Sequence, residues 1–258
     1  MTIKAIFLDI DGTMVSFDTH RVPDQTVRAL HEVRRRGVKV FVATGRSGRD
    51  IDNLCGLEFD GYITLNGACC CVGNEIVFRK SIPRDDVAAF VRYTEEVEPV
   101  SCFFVEADRV SANMMNEPMA QMMAMVRFTP RPIVPSREFV CREIFQMTAF
   151  FPIEQERSIM KLLPGCVSTR WYPTFTDIVA RGVDKGIGLE RIGEYFGFAA
   201  DEMMALGDGG NDISMIKYAG VGVAMGNAGD DVKLAADYVT TSVDDDGVGN
   251  ALRRFGVL

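Results

Sequence analysis

Apolar residues in this chain fall in short unbroken runs that stop at acidic or glycine-containing loops, the mark of strands covered on both faces. The first run, Lys4-Ala-Ile-Phe-Leu, stops at Asp9-Ile-Asp11-Gly12-Thr13 and predicts a central parallel strand with a loop at its C-terminal end. Over residues 23–36 the spacing turns helical: Val27, Leu30 and Val33 share a face, Pro23 and Asp24 suit a first turn, and Gly37 suits a C-terminal cap. Residues 38–43 form a second buried run leading into Thr44-Gly45-Arg46. Residues 50–57 then predict a short helix, and residues 62–65 a third strand that stops at Asn66-Gly67. Alternation of this kind predicts a doubly wound parallel sheet.

Past Lys80 the pattern changes. Residues 85–98 and 114–126 predict helices, and residues 101–106, 145–151 and 167–173 predict strands. Prolines at 118, 130, 132, 135, 152 and 164 punctuate the stretch, which suits antiparallel strands joined to helices. The first pattern returns with an amphipathic helix over 185–196, a strand over 203–206 that runs into Gly207-Asp208-Gly209-Gly210-Asn211-Asp212, and a short strand over 221–224. The expected fold class is therefore α/β. A doubly wound, Rossmann-like parallel core made of residues 1–82 and 180–258 is interrupted by an α+β cap domain over 83–179.

Composition narrows the function. Across 258 residues, 28 Lys+Arg stand against 36 Asp+Glu, a net charge of −8, and Arg34 to Arg36 is the only tight basic run. A nucleic-acid partner is not expected from such a balance. No apolar stretch reaches the roughly 18–20 residues of a membrane span and no cleavable leader pattern opens the chain, so the expectation is a cytoplasmic protein without a membrane partner. The seven cysteines are an odd number without CxxC spacing, and Cys69-Cys70-Cys71 reads as free thiols near a strand.

Candidate chemistry sits at the ends of the predicted parallel strands, which line the ligand crevice of an open α/β sheet. Four clusters occur there: Asp9/Asp11/Thr13, Thr44/Gly45/Arg46, Lys185 opening a helix, and Asp208/Asn211/Asp212. Asp9, Asp208 and Asp212 gathered in one crevice repel unless a cation lies among them. Magnesium, with its preference for oxygen ligands shared with a substrate phosphate, meets that need. Such a site with a lysine and hydroxyls beside it suits phosphoryl transfer. Asp9 and Asp11, two apart on an extended strand end, point the same way, so one can attack phosphorus while the other handles a proton.

The run Phe7-Leu-Asp9-Ile-Asp11-Gly12-Thr13, with the TGR, DKG and GDGGND segments after it in order, resembles the four motifs of the haloacid dehalogenase-like phosphatases. The insert between the second and third motifs resembles the type II B cap of the Cof-like subfamily, in which sugar-phosphate phosphatases are common. The resemblance implies an aspartyl-phosphate on Asp9, with Asp11 as acid and then base and its backbone carbonyl in the Mg2+ shell. It implies that Thr44, Lys185 and Asn211 hold the phosphate, with Gly12, Thr13 and Gly45 as further phosphate-binding positions. Asp208 would ligate the metal directly, and Asp212 would act from behind it or through water. Arg46 and Asn66 lie beside the crevice, as substrate contacts or structural hydrogen bonds.

The expected function is thus a magnesium-dependent hydrolase of small phosphomonoesters, sugar phosphates first, acting as a monomer or homodimer. The alternatives are a phosphomutase or phosphotransferase, a phosphatase of pyridoxal phosphate or flavin mononucleotide, and a non-catalytic phosphometabolite-binding regulator. Leaving-group specificity is expected in the cap, whose last segment Arg170-Trp-Tyr-Pro-Thr-Phe-Thr-Asp177 offers aromatic and polar side chains. Met225-Gly-Asn-Ala228 reads as a tight turn, Asp244-Asp245-Asp246 as a solvated loop, His20 and His31 as surface residues, and the methionines over 114–125 as packing.

Overall fold

The computed structural model describes residues 2–51, 54–107, 109–125 and 129–258, apart from the Trp171 side chain. The chain divides into two compact units, Met1–Arg79 with Val183–Leu258, and Lys80–Gly182.

The first unit begins with β1 (Ala5–Leu8), α1 (Asp24–Arg35), β2 (Lys39–Ala43) and β3 (Gly61–Thr64), followed by a hairpin of β4 (Cys69–Val72) and β5 (Glu75–Arg79). Leu8 pairs in parallel with Val42 of β2, and Phe41 of β2 with Gly61 of β3. The helix expected over 50–57 is not formed: a single 3-10 turn occupies Gly48–Asp50, while Asp52 and Asn53 lie outside the described residues. Cys55 and Gly56 sit at φ +53° and +71°, which ends any helical continuation there.

The inserted unit holds α2 (Arg84–Glu96), β6 (Ser101–Val105), β7 (Val110–Ala112), α3 (Glu117–Met125), β8 (Gln146–Phe150), α4 (Ile153–Met160), β9 (Cys166–Tyr172) and β10 (Phe175–Ala180). Its five strands are antiparallel in the order β7-β6-β8-β10-β9. One sheet face packs Phe104, Met147 and Ile178 against Val87 and Phe90 of α2 and against Phe139, whose ring stacks on Phe104 at 3.9 Å between centroids. Met119, Met122 and Met123 turn one side of α3 inward, as the packing reading expected, whereas Met115 and Met125 are exposed, against it; the end of the expected helix, Val126, lies outside the described residues.

The first unit resumes with α5 (Lys185–Phe196), β11 (Met203–Gly207), α6 (Ile213–Tyr218), β12 (Val221–Ala224), α7 (Asp230–Ala235), β13 (Tyr238–Val239) and α8 (Gly247–Arg254). Its eight strands run β13-β12-β11-β1-β2-β3-β4-β5, all parallel up to the closing hairpin. Ile6, Leu8, Val40 and Val42 face Leu30 and Val33 of α1 and Leu252 of α8, while Phe7, Phe41 and Ala205 face Leu189 and Ile192 of α5. Both faces are covered, which is why the strands read as continuous apolar runs. The order reverses between β1 and β11, whose C-terminal ends therefore flank a switch-point crevice.

Candidate active site

Asp9 follows β1 directly, its N–H donating to the Leu206 carbonyl at 3.1 Å, and Asp208 follows β11. Between them the chain turns at Gly12, φ +84°, where a Cβ would lie 2.2 Å from Asp208 Oδ2. Only glycine lets the two loops come this close. Thr13 Oγ1 donates to Asp208 Oδ1 at 2.9 Å. From the third cluster, Asp184 caps α5 by accepting the Ile187 N–H at 2.9 Å, and Lys185 in the first turn is fully buried. Its ammonium donates to Asp9 Oδ1 at 2.6 Å and to Asp212 Oδ1 at 2.5 Å. Asp212 Oδ2 accepts the N–H groups of Asp208 and Gly209 at 2.9 and 2.8 Å. With both oxygens engaged, Asp212 shapes the Asp208 loop and anchors the lysine.

Electrostatics in this pocket is unbalanced. Burial, with Asp212 and Asp11 adding to it and Lys185 opposing, pushes the Asp9 carboxyl up to about 7. Burial and the charges of Asp9 and Asp212 push Asp208 to about 8. Burial alone would lower the Lys185 ammonium, yet Asp212 and Asp9 hold it above the ordinary lysine range. Lys185 bonds two of three carboxylates that each place one oxygen within 4.8 Å of the others. All the donors are hard oxygen atoms and negative charge is in excess, so the residues fit a divalent cation.

On the opposite side, the Arg46 guanidinium donates to both carboxylate oxygens of Asp11, Nη2 to Oδ1 at 2.5 Å and Nε to Oδ2 at 2.8 Å, and its Nη1 donates to the Asp50 carbonyl. Thr44 is buried; its hydroxyl accepts the Arg46 N–H at 3.1 Å and keeps its own proton to donate. Asn211 Nδ2 donates to Asn66 Oδ1 at 2.9 Å, and Gly45 sits against the same Asn66 side chain. The resemblance implied that Gly12 and Thr13 offer amides to phosphate. Here the Gly12 N–H donates to the Val15 carbonyl at 2.8 Å and the Thr13 N–H to that of Ile10 at 3.4 Å, because the tight turn closes on itself. The Thr13 hydroxyl is likewise turned to Asp208.

Sequence reading passed over Asn227 as part of a turn. Its Nδ2 donates to the Gly12 carbonyl at 2.8 Å and to Asp208 Oδ2 at 3.3 Å, while its Oδ1 accepts the Val243 N–H at 3.0 Å. The Gly226-Asn227 pair one residue after β12 was the available signal, since a loop leaving the next parallel strand reaches the same crevice. The acidic run beside Val243 is drawn into local bonds, with Asp245 on Ser242 and Asp246 on Arg253. All seven cysteines are free thiols. In the inserted unit Arg170 is held by Glu156 and three backbone carbonyls, and Asp177 is buried on Thr148 and Gln146. The Trp171 side chain lies outside the described residues. No helix among the described residues is long and apolar enough to cross a membrane.

The family model described as haloacid dehalogenase-like hydrolase matches residues 6–252. A solved structure titled as that of a HAD subclass IIB sugar phosphatase, BT4131, is 43% identical, with a TM-score of 0.94 over 99% of this chain and 100% of that one. A Bacillus subtilis protein named as a candidate phosphatase, YkrA, is 31% identical over the full length of both chains. The 5-amino-6-(5-phospho-D-ribitylamino)uracil phosphatase YcsE of the same organism is 29% identical over 98% of this chain and 96% of its own.

Proposed function

The chain belongs to the haloacid dehalogenase-like hydrolases and is a phosphatase of that superfamily, a metal-dependent group, and on that premise we propose that it hydrolyses small sugar phosphates with magnesium as its metal. The observation that carries the reading is Asp9: a buried carboxylate at the end of a central strand, one oxygen on the Lys185 ammonium, beside Asp208 and Asp212. Asp9 and Asp208, with the Asp11 backbone carbonyl, would hold the magnesium ion, and Asp212 would support them from behind. When bound, the ion neutralises charge on the phosphoryl oxygens and on the carboxylates around it.

In the chemistry we assign, an Asp9 oxygen attacks phosphorus and the bond to the leaving oxygen breaks, that oxygen taking a proton from Asp11. Asp11 then takes a proton from water, which attacks the aspartyl-phosphate; the bond from phosphorus to Asp9 breaks and inorganic phosphate leaves. Lys185 offsets the repulsion between Asp9 and the incoming dianion, and Thr44 and Asn211 contact phosphate oxygens. Before it can act, Asp11 has to exchange at least one of its two bonds to Arg46. The inserted unit, as a type II B cap, carries the leaving-group specificity, and the enzyme works in the cytoplasm as a monomer or homodimer.

The test is phosphate release from a few dozen sugar, polyol, nucleotide and cofactor phosphates, with and without magnesium, ranked by kcat/KM. Hexose and pentose phosphates are expected at the head of the ranking, and Asp9→Asn is expected to abolish release from all of them. Turnover retained by Asp9→Asn would refute the covalent route. A second reading, a phosphatase of a phosphoribitylamino-substituted uracil, is favoured by the similarity to YcsE. It prevails if such phosphates outrank the sugars.

A further inference from the structure

Three consecutive residues after β3 have positive φ: Leu65 at +54°, Asn66 at +53° and Gly67 at +98°. For leucine this backbone region is strained and persists only where the surroundings over-determine it. The restraints here are specific. The Leu65 N–H donates to the Arg46 carbonyl at 3.1 Å and the Asn66 N–H to the Thr44 carbonyl at 3.0 Å. Asn66 Oδ1 accepts from Asn211 Nδ2 at 2.9 Å. A Cβ on Gly67 would lie 2.1 Å from the Asp184 carbonyl oxygen, so the turn also presses on the residue that caps the Lys185 helix. One strained turn thereby touches the loop of Thr44 and Arg46, the loop of Asn211 and the start of α5.

We propose that Asn66 is a positioning residue for the phosphate subsite: its side-chain oxygen orients the Asn211 amide while its backbone N–H ties the same turn to Thr44. Asn66 is 3% exposed, so no bulk water stands in for its oxygen if that oxygen is removed. Asn211 would then lose a partner and rotate about its terminal torsion, and the two phosphate-facing groups would no longer be held at a fixed separation. Asparagine suits the position twice over, because it tolerates the left-handed backbone and carries the acceptor. The inference rests on Thr44 and Asn211 contacting phosphate, as proposed above.

Two substitutions separate side chain from backbone. Asn66→Gly keeps the left-handed conformation and deletes the acceptor; Asn66→Ala deletes the acceptor and adds backbone strain. With p-nitrophenyl phosphate as the hydrolysis probe and inorganic phosphate as the competing ligand, both variants should lose on the order of 10–100-fold in kcat/KM, the range a sub-ångström to ångström misplacement produces. Both should bind phosphate more weakly, and the alanine variant should melt lower than the glycine variant. Because Asn66 acts through Asn211, Asn66→Gly should cost almost nothing further in an Asn211→Ala background. Wild-type kinetics in Asn66→Gly, additive losses in the double variant, or activity that merely tracks melting temperature would overturn the assignment. A parent protein that neither hydrolyses the probe nor binds phosphate would overturn the proposed function and this inference together, whereas an active parent beside an equally active Asn66→Gly overturns the inference alone.

Discussion

Replacing Lys185 with methionine isolates what the buried ammonium contributes. The aliphatic stem is kept, so no cavity opens, but Asp9 and Asp212 lose a donor at 2.6 and 2.5 Å in a site where Lys185 has no solvent exposure. Removing one partner of a buried ion pair costs about 3–5 kcal/mol, most of it from the charge left behind. For a protein of this size about 1 kcal/mol corresponds to roughly 2–4 °C, so melting should fall by about 6–20 °C. The loss has a pH signature. Asp9 stands at about 7 in the folded chain against 3.8 for an ordinary aspartate, chiefly through burial, so the folded form holds that proton more tightly than the unfolded form does. Its ionisation therefore opposes folding, and stability present at acid pH is lost as pH rises from about 4 through 7. Without Lys185 the carboxyl moves further up and the penalty grows. Thermal melts followed by circular dichroism in chelator-treated buffer should show a large deficit of Lys185→Met at pH 8 and a much smaller one at pH 5. An equal deficit at both values, or none, would refute the account of Lys185 as the counter-charge of the cluster.

Arg46→Met frees both oxygens of Asp11 and is expected to lower kcat by about 10–100-fold through lost orientation; because the pair is partly exposed, stability should fall by about 1 kcal/mol or less, and a variant with normal kcat would count against Arg46 as the clamp on Asp11. Asn227→Ala removes a donor from Asp208 Oδ2 and should weaken magnesium binding, read by titration calorimetry without substrate, by about 10–100-fold; an unchanged dissociation constant would restrict Asn227 to bracing the Gly12 and Val243 turns. Thiol titration with an aromatic disulfide should show Cys55 and Cys141 reacting first, since both are exposed. Cys70, which burial pushes up to about 12, and Cys102 and Cys166, which burial raises as well, should react only on unfolding; early modification of any of the three would contradict the packing described.

The central strands and the residues at their ends were legible because two-sided burial leaves unbroken apolar runs and because a parallel sheet delivers every strand end to one rim. The helix from Lys185 was equally plain, its start marked by Asp184 as cap and its end by Gly197 at φ +69°. Less legible was the hairpin of β4 and β5, whose cysteines and charged residues lack strong alternation and whose register shifts between Cys70 and Cys71. Residues 50–57 misled for a different reason: helical spacing of Ile51, Leu54 and Leu57 carries no information about Cys55, which the fold holds in a left-handed conformation. Pairings such as Arg46 with Asp11, or Asn227 with Asp208, depend on loop paths that no local pattern encodes. The residue types around the site could be anticipated; which of them grip one another could not.

The insertion also dictates an order of assembly. β1 finds one of its two neighbours, β11, only across the interval from Ala5 to Met203, and the bond from Thr13 to Asp208 spans 195 positions. At ribosomal rates of about 5–20 residues per second, the strand bearing Asp9 waits roughly 10–40 s for that neighbour to be synthesised. Lys80–Gly182 is contiguous, and all five of its strands are available to pair before β11 exists. A nascent chain can therefore complete its inserted unit while Asp9 still lacks its neighbours Asp208 and Asp212, which follow β11. Non-local closure of this kind is slow and leaves apolar strands uncovered meanwhile, so chaperone dependence and aggregation during expression should respond most to changes in β1 and β2. A product that stops before β11 lacks Asp208 and Asp212 and cannot assemble the carboxylate cluster.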